Sequence, residues 1–155
     1  MSAQRPAPGE RWVFCELGHV HWGANGGAGL LIRHRPDDSE PSYLLTLRSR
    51  LVDEGGSWGV PGGAIRDGEP AEKAARRETL EEIGYLPPYR PDRVDIQDCG
   101  GGWRFWLITV DVEERFDAYS VQETDATGWF TRRAMRRLPL HPGIGRWLEH
   151  FAPCE

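Results

Sequence analysis

Three glutamates, Glu78, Glu81 and Glu82, crowd a run rich in Ala, Glu and Arg. Residues 69–83 read as a helix, with Pro70 suited to its first turn and Gly84 as its C-terminal stop. At about 100° per residue, Glu78 and Glu82 lie about 40° apart, one turn from each other. Glu81 falls on the neighbouring edge of the same side. Ala71, Ala74 and Ala75 share that sector, while Lys73, Arg76 and Leu80 lie elsewhere. A solvated acidic face would set its charges opposite the apolar stripe. Small alanines let a helix sit close to a sheet, so these acids flank a protein-lined cleft. Like charges at i and i+4 repel, and acids near a helix C-terminus oppose its dipole. A divalent cation between the carboxylates reverses both penalties. All-oxygen ligands select a hard cation, Mg²⁺ or Mn²⁺ rather than Zn²⁺. Mg²⁺ is usually held by one or two carboxylates plus substrate phosphates, so a phosphate-bearing substrate follows. Arg77 adjoins Glu78 and precedes Glu81 by four residues, which places it to orient both carboxylates.

The segment from Gly63 to Tyr85 resembles the signature of the Nudix (MutT-like) hydrolases, Gly-x5-Glu-x7-Arg-Glu-U-x-Glu-Glu-x-Gly-U, where U is bulky and apolar. Gly63, Glu69, Arg77, Glu78, Glu81, Glu82 and Gly84 occupy all its fixed positions. At ordinary residue frequencies such agreement has a chance on the order of 10⁻⁸. Thr79 and Tyr85 stand at the two U positions. Tyr85 is still bulky, whereas Thr79 brings a hydroxyl that bears on packing. Trp58-x-x-Pro61-Gly62-Gly63 and Trp129-Phe130 also look family-like. The resemblance implies an α/β/α sandwich with a mixed sheet and a loop-helix-loop catalytic motif. It implies metal-dependent hydrolysis of a diphosphate bond in a nucleoside diphosphate linked to another moiety, such as a nucleoside triphosphate or a nucleotide-sugar-like compound. By position, Glu78 and Glu82 would be the principal metal ligands. Glu81 would be a further ligand or the base that activates water, and a backbone carbonyl of Gly62 or Gly63 would also touch metal. Glu69 and Arg77 would support the helix and its carboxylates. An acid outside the motif would serve as an extra ligand or base; Glu123 is the first candidate and Asp125 the second.

The elements that must position these residues read as one domain, residues 11–155, preceded by a frayed, flexible tail over residues 1–10. Trp12–Glu16 and His19–Trp22 are short strand candidates. Ala28–His34 and Tyr43–Leu47 read as an antiparallel hairpin with a polar loop between them. Trp58 to Gly63 cannot be a regular helix, because Pro61 lacks an N–H and the glycines permit unusual backbone angles. Val94–Ile96 and Trp103–Val110 follow as strands. The second is apolar on both faces and so reads as a central strand. Thr131 is a plausible N-cap for a helix to about Leu138, and Pro142–Phe151 forms the last helix. Strands around one helix with helices at the end indicate an α/β fold with helices on both faces of a mixed sheet.

Composition narrows the partners. The 155 residues carry 19 Lys+Arg and 24 Asp+Glu, a net charge of −5, so no broad basic surface coats nucleic acid. Lys73 is the one lysine, and the remaining cations are arginines, which suit bidentate recognition. No stretch is long enough to span a membrane, and residues 1–10 do not read as a signal peptide. Cys15, Cys99 and Cys154 are widely spaced and read as reduced thiols of a cytoplasmic protein. His19, His21, His34, His141 and His150 show no ligand spacing. Trp58, Trp103, Phe105, Trp106 and Tyr119 are candidates to stack on a base, against the commoner core role of strand aromatics. Arg48, Arg50, Arg66 and Arg104 are candidates for phosphate contact. Arg132, Arg133, Arg136 and Arg137 form a basic cluster that serves either to bind RNA phosphates or to complement a helix C-terminus. Exposed tryptophans would furnish a homodimer surface. Three functions remain side by side: a small-nucleotide pyrophosphohydrolase, an RNA 5′-end pyrophosphohydrolase, and a non-catalytic ligand-binding regulator of the same fold.

Overall fold

The computed structural model describes residues 5–49, 55–119 and 124–150. Glu123, Arg50, Cys154 and Phe151 lie outside the described residues. The chain runs β1 (Trp12–Phe14), β2 (Val20–Trp22), β3 (Gly27–His34), β4 (Ser42–Arg48), β5 (Trp58–Gly59), β6 (Gly62–Ala64), α1 (Ala71–Ile83), β7 (Arg90–Asp98), β8 (Arg104–Val112), β9 (Thr124–Thr131), α2 (Arg132–Met135) and α3 (Pro142–His150). One sheet has the order β5-β4-β3-β8-β7, with β6 paired to β3 and β9 to β4. Strands β3 and β8 run parallel, and the other pairings are antiparallel. Strands β1 and β2 form a separate two-stranded hairpin.

Strand alternation divides the core between the two faces of the sheet. Leu30, Ile32, Leu44, Ile108 and Val110 pack beneath α1 with Ala74, Ala75 and Ile83. Leu31, Tyr43, Leu45 and Leu107 face the other way, onto Met135 of α2 and Ile144, Trp147 and Leu148 of α3. The expected α/β/α sandwich is therefore present, and β8 is central, as its two apolar faces require. Val112 also joins the α1 side. Asp111 between them is buried, and Arg33 and Arg35 pair with it at 2.7 and 2.9 Å.

The helix of the motif begins one residue later than a first-turn Pro70 would imply. Pro70 is the extended N-cap residue, and Gly84 closes the other end in the left-handed region at φ 72°. Thr79 is fully buried, and its hydroxyl donates to the Ala75 carbonyl at 2.7 Å, so the polar atom at this position is satisfied inside the helix. Thr131 caps α2 through its hydroxyl, which accepts from the Ala134 N–H. That helix stops at Met135 rather than near Leu138. The N–H groups of Arg137 and Leu138 turn to carbonyls three residues back, and Pro139 follows.

The expected frayed tail is held at its inner end. The Pro8 carbonyl accepts from Asp67 N–H and the Gly9 carbonyl from Ala24 N–H, each at 2.9 Å. These bonds occupy backbone groups that a free tail would leave to water. No helix among the described residues is long and apolar enough to cross a membrane. Trp12 and Trp22 meet edge to face at 5.1 Å on the exposed side of the small hairpin.

Ala74 and Ala75 are fully buried between α1 and the sheet, where no space remains for a larger side chain. Ala75→Leu is expected to cost about 1–3 kcal/mol through overpacking. The check is a lower urea midpoint with an unchanged denaturant slope.

Candidate active site

The centre of the site is the Arg77 guanidinium. Its Nε and Nη2 donate to the two Glu69 oxygens at 3.0 and 2.9 Å. Its Nη1 donates to Glu78 at 2.9 Å and to Glu81 at 3.5 Å, and Nη2 also donates to the Ala64 carbonyl at 3.0 Å. A planar fork with five N–H groups is the side chain that can serve this many acceptors at once. It ties the helix to the loop that precedes it. Glu69 accepts a further bond from the Arg66 N–H at 3.1 Å. Both Glu69 oxygens are thus occupied, which suits a supporting residue rather than a metal ligand.

Of the two half-buried acids, Glu78 and Glu82, Glu78 is the one that Arg77 holds. Its side chain is 15% exposed, against 50% for Glu81. Burial pushes its pKa up, the Arg77 hydrogen bond opposes that, and the Glu81 charge adds to the rise. The carboxyl lies on the backbone of Gly63, where an added Cβ would sit 2.5 Å from the Glu78 carboxyl carbon. Gly62 stands equally close to Gly29 of β3, where an added Cβ would be 2.8 Å from the Gly29 Cα. The two glycines therefore let β6 pass between β3 and the acid-bearing side of α1. The Gly62 N–H reaches Glu82 at 3.4 Å. Glu78, Glu82 and the Gly62-Gly63 backbone are thus brought together, and Glu81 lies at the solvent edge of the same cluster. A partly desolvated all-oxygen donor set with excess negative charge matches what a hard divalent cation requires.

Sequence reasoning missed Glu10. Its carboxylate pairs with Arg66 at 2.9 Å and approaches Arg77 at 4.0 Å. Burial alone would raise its pKa, but the Ala7 N–H and the Arg66 guanidinium hold it below the ordinary value. A single acid before the first strand carries no local signal for this role, because it meets the motif only through the tertiary fold. Arg66 is thereby committed to Glu10, and Arg104 to Asp98 at 3.4 Å.

Asp125, the second outside candidate, is exposed. Among the aromatic candidates, Trp103 stacks on His21, and Trp58 packs edge to face on Phe130. Phe105 and Trp106 pack against the core on opposite faces of the sheet. Tyr119 is exposed and its N–H bonds to the Ile83 carbonyl at 3.1 Å, which sets it at the C-terminal end of α1 beside Gly84. The basic cluster Arg132–Arg137 belongs to α2 and its exit, across the sheet from the acids.

A family model described as NUDIX domain matches residues 25–151. The chain is 34% identical over 149 residues to a Mycobacterium tuberculosis protein named "Putative 8-oxo-dGTP diphosphatase 3", covering 92% of this chain and 69% of that one. It is 42% identical over 103 residues to a nucleoside triphosphate pyrophosphatase/Nudix hydrolase fusion protein of Bifidobacterium longum, covering 65% and 21% of the two chains. The crystal structure of a Nudix hydrolase from M. smegmatis superposes with a TM-score of 0.84 at 29% identity, covering 93% of each chain. A C. elegans Ap4A hydrolase complex, at 20% identity and a TM-score of 0.66, covers 81% of this chain and 95% of its own, and shares the fold.

Arg77 hydrogen bonding holds the Glu69 pKa below its ordinary value of 4.5 despite partial burial. A depressed folded pKa contributes stability that is full above the unfolded value and is lost as pH falls through the folded one. Glu69→Gln is therefore expected to cost about 1–3 kcal/mol at neutral pH. Urea unfolding repeated well below 4.5 should show that cost shrinking.

Proposed function

The chain belongs to the Nudix hydrolase family, and from that premise we propose that it hydrolyses a diphosphate bond in a nucleoside diphosphate linked to another group, with a nucleoside triphosphate as the leading substrate class. The observation that carries this reading is the buried Glu78 carboxyl, pressed on the Gly63 backbone and oriented by Arg77. Every acid of the motif is present, which favours turnover over a regulator that only binds. The relatives named for triphosphate substrates point to the same class.

We assign Glu78 and Glu82 as the principal holders of Mg²⁺ or Mn²⁺, with a Gly62 or Gly63 carbonyl as a further oxygen. Such an ion, when bound, supplies Lewis acidity for the phosphoryl oxygens and lowers the pKa of water. Glu69 and Arg77 hold the Glu78 carboxylate in place before substrate arrives, so little reorganisation remains. Glu81, half exposed and loosely tethered to Arg77, takes the proton of the attacking water. The water oxygen forms a new bond to phosphorus as the bridging P–O bond breaks. Glu123 is the second candidate for that proton on sequence grounds. Tyr119, beside the carboxylate end of α1, is the aromatic we assign to the base.

The basic cluster lies across the sheet from the acids, so an RNA 5′ end in the site would not rest on Arg132–Arg137. A small nucleotide needs no such surface.

Glu78→Gln and Glu82→Gln are each expected to lower kcat by at least about 100-fold at saturating Mg²⁺, more than the loss for a residue that only positions a ligand. A panel of nucleoside triphosphates, including oxidised purines, and nucleotide-linked diphosphates checks this by release of phosphate, pyrophosphate and nucleoside monophosphate. Full activity in either variant, or no turnover of any panel member by the wild type, overturns the reading. Glu81→Gln and Glu123→Gln, compared across pH, separate the base: the variant that loses the acidic limb of the kcat profile marks it, because a base must be deprotonated to act.

A further inference from the structure

The small hairpin β1–β2 holds a second cluster, with a different chemistry. Phe14 pairs with Val20 and Val13 with His21, and the Cys15 N–H donates to the His19 carbonyl at 2.9 Å. This register puts Cys15, His19 and His21 on one face, with Trp12, Phe14, Val20 and Trp22 on the other. One ligand atom from each of Cys15, His19 and His21 lies within 4.8 Å of the others.

The fold brings a second thiol to this face from far along the chain. Cys99 opens the turn between β7 and β8, which Gly100 and Gly102 allow through positive φ values. The Glu16 N–H donates to the Gly101 carbonyl at 2.9 Å and fastens the two hairpin turns together. The Cys99 and Cys15 thiols are then hydrogen-bonded neighbours. Gly101 leaves room for them, since an added Cβ there would sit 2.7 Å from the Cys15 sulfur. The Gly101 N–H donates to the Cys99 sulfur at 3.3 Å.

His21 supplies an independent observation. Its Nε2 is buried and finds no hydrogen-bond partner among the described residues. A buried polar nitrogen without a partner is costly. The ring is also held firmly. It stacks on Trp103 at 4.5 Å with planes 5° apart, and the Trp103 Nε1–H donates to the Gly23 carbonyl at 2.8 Å. A fixed imidazole with an unsatisfied nitrogen, beside a thiol and an exposed imidazole, is a ligand set rather than a packing core.

We propose that Cys15, His19, His21 and Cys99 form a zinc site that joins the β1–β2 hairpin to the β7–β8 turn. Two sulfurs and two imidazole nitrogens are the donors Zn²⁺ takes in closed tetrahedral sites. With bond lengths of about 2.0–2.3 Å, tetrahedral ligand atoms stand roughly 3.3–3.8 Å apart. The ligand atoms of Cys15, His19 and His21 already lie within 4.8 Å of one another, and the exposed His19 side chain can adjust toward that spacing. Each thiol gives up its proton to solvent as its sulfur bonds the metal. The site uses none of the acids of α1, and its soft donors select against Mg²⁺.

The test uses the full chain, stripped with a chelator under a non-thiol reductant and titrated with Co²⁺ in excess Mg²⁺. The expected result is one Co²⁺ per chain with thiolate-to-cobalt charge transfer and tetrahedral visible bands, displaced by equimolar Zn²⁺. Cys15→Ser and His21→Gln are expected to weaken Co²⁺ binding by at least about 100-fold. Glu78→Gln, which touches only the hard site, leaves the bands unchanged. Absence of a thiolate band in the wild type overturns the site without reference to any folding defect, and so does its survival in Cys15→Ser. An unchanged spectrum in Cys99→Ser removes Cys99 as the fourth ligand.

Discussion

Arg77 is where loop, helix and N-terminal segment close on one another. Its guanidinium takes both Glu69 oxygens, one Glu78 oxygen and the Ala64 carbonyl, and touches Glu81 and Glu10 at longer range. The side chain is 17% exposed, so these contacts are only partly screened by water. Remove it and several carboxylates face one another without a cation. A lysine would keep the charge but lose the fork, and one point charge cannot span Glu69 and Glu78 together.

This arrangement leaves the site short of positive charge. Among the described residues, Glu10, Glu69, Glu78 and Glu81 share Arg66 and Arg77 in the ion pairs around the motif. The two ends of the network respond in opposite directions. Glu69 stays ionised because Arg77 holds it, whereas burial disfavours the charge on Glu78. The loop before α1 thus carries an acid fully satisfied by protein, and the helix one whose burial outweighs its single bond to Arg77. That imbalance favours a bound cation, as the proposed Mg²⁺ or Mn²⁺ site requires. It also gives the net charge of −5 a local meaning: the acids exclude a nucleic-acid coat and favour a cation that brings phosphate with it.

The motif was legible because its geometry is local. Glu78, Glu82, Ala74 and Ala75 take their mutual placement from helix periodicity alone, and the buried set Ala74, Ala75, Thr79 and Ile83 follows it. The layers of the sandwich were legible for the same reason, since alternation in β8 marks two covered faces. Strands of two or three residues such as β5 and β6 show no period; the glycines of β6 are set by the approach of β3 and Glu78, and Gly59 of β5 faces His141. Glu10 and the Cys15–Cys99 pair were illegible on other grounds. Each depends on a contact between distant segments, and spacing along the chain says nothing about that. The histidines illustrate the point: His19 and His21 lack ligand spacing by any linear rule, yet a hairpin register sets them beside Cys15.

A two-stranded hairpin is marginal by itself in water. Strands β1 and β2 have three residues each, pair with no strand of the main sheet, and expose Trp12 and Phe14 at 62% and 76%. Something other than core burial must hold them, and the bonds present are few: the Glu16–Gly101 link, the Trp103–Gly23 hydrogen bond and the His21–Trp103 stack. All three run to the β7–β8 turn or the strand start beyond it. Glu10 sits directly before β1 and Gly23 directly after β2, where it packs on Ala64. The hairpin is therefore strung between two contacts with the Arg77 network, one through Glu10 and one through Ala64. How firmly the hairpin is fixed decides how firmly Glu10 stands beside Arg66 and Arg77. A staple at Cys15 and His21 would reinforce the end of the hairpin that the Glu16–Gly101 bond and the His21–Trp103 stack already tie to the β7–β8 turn and the start of β8.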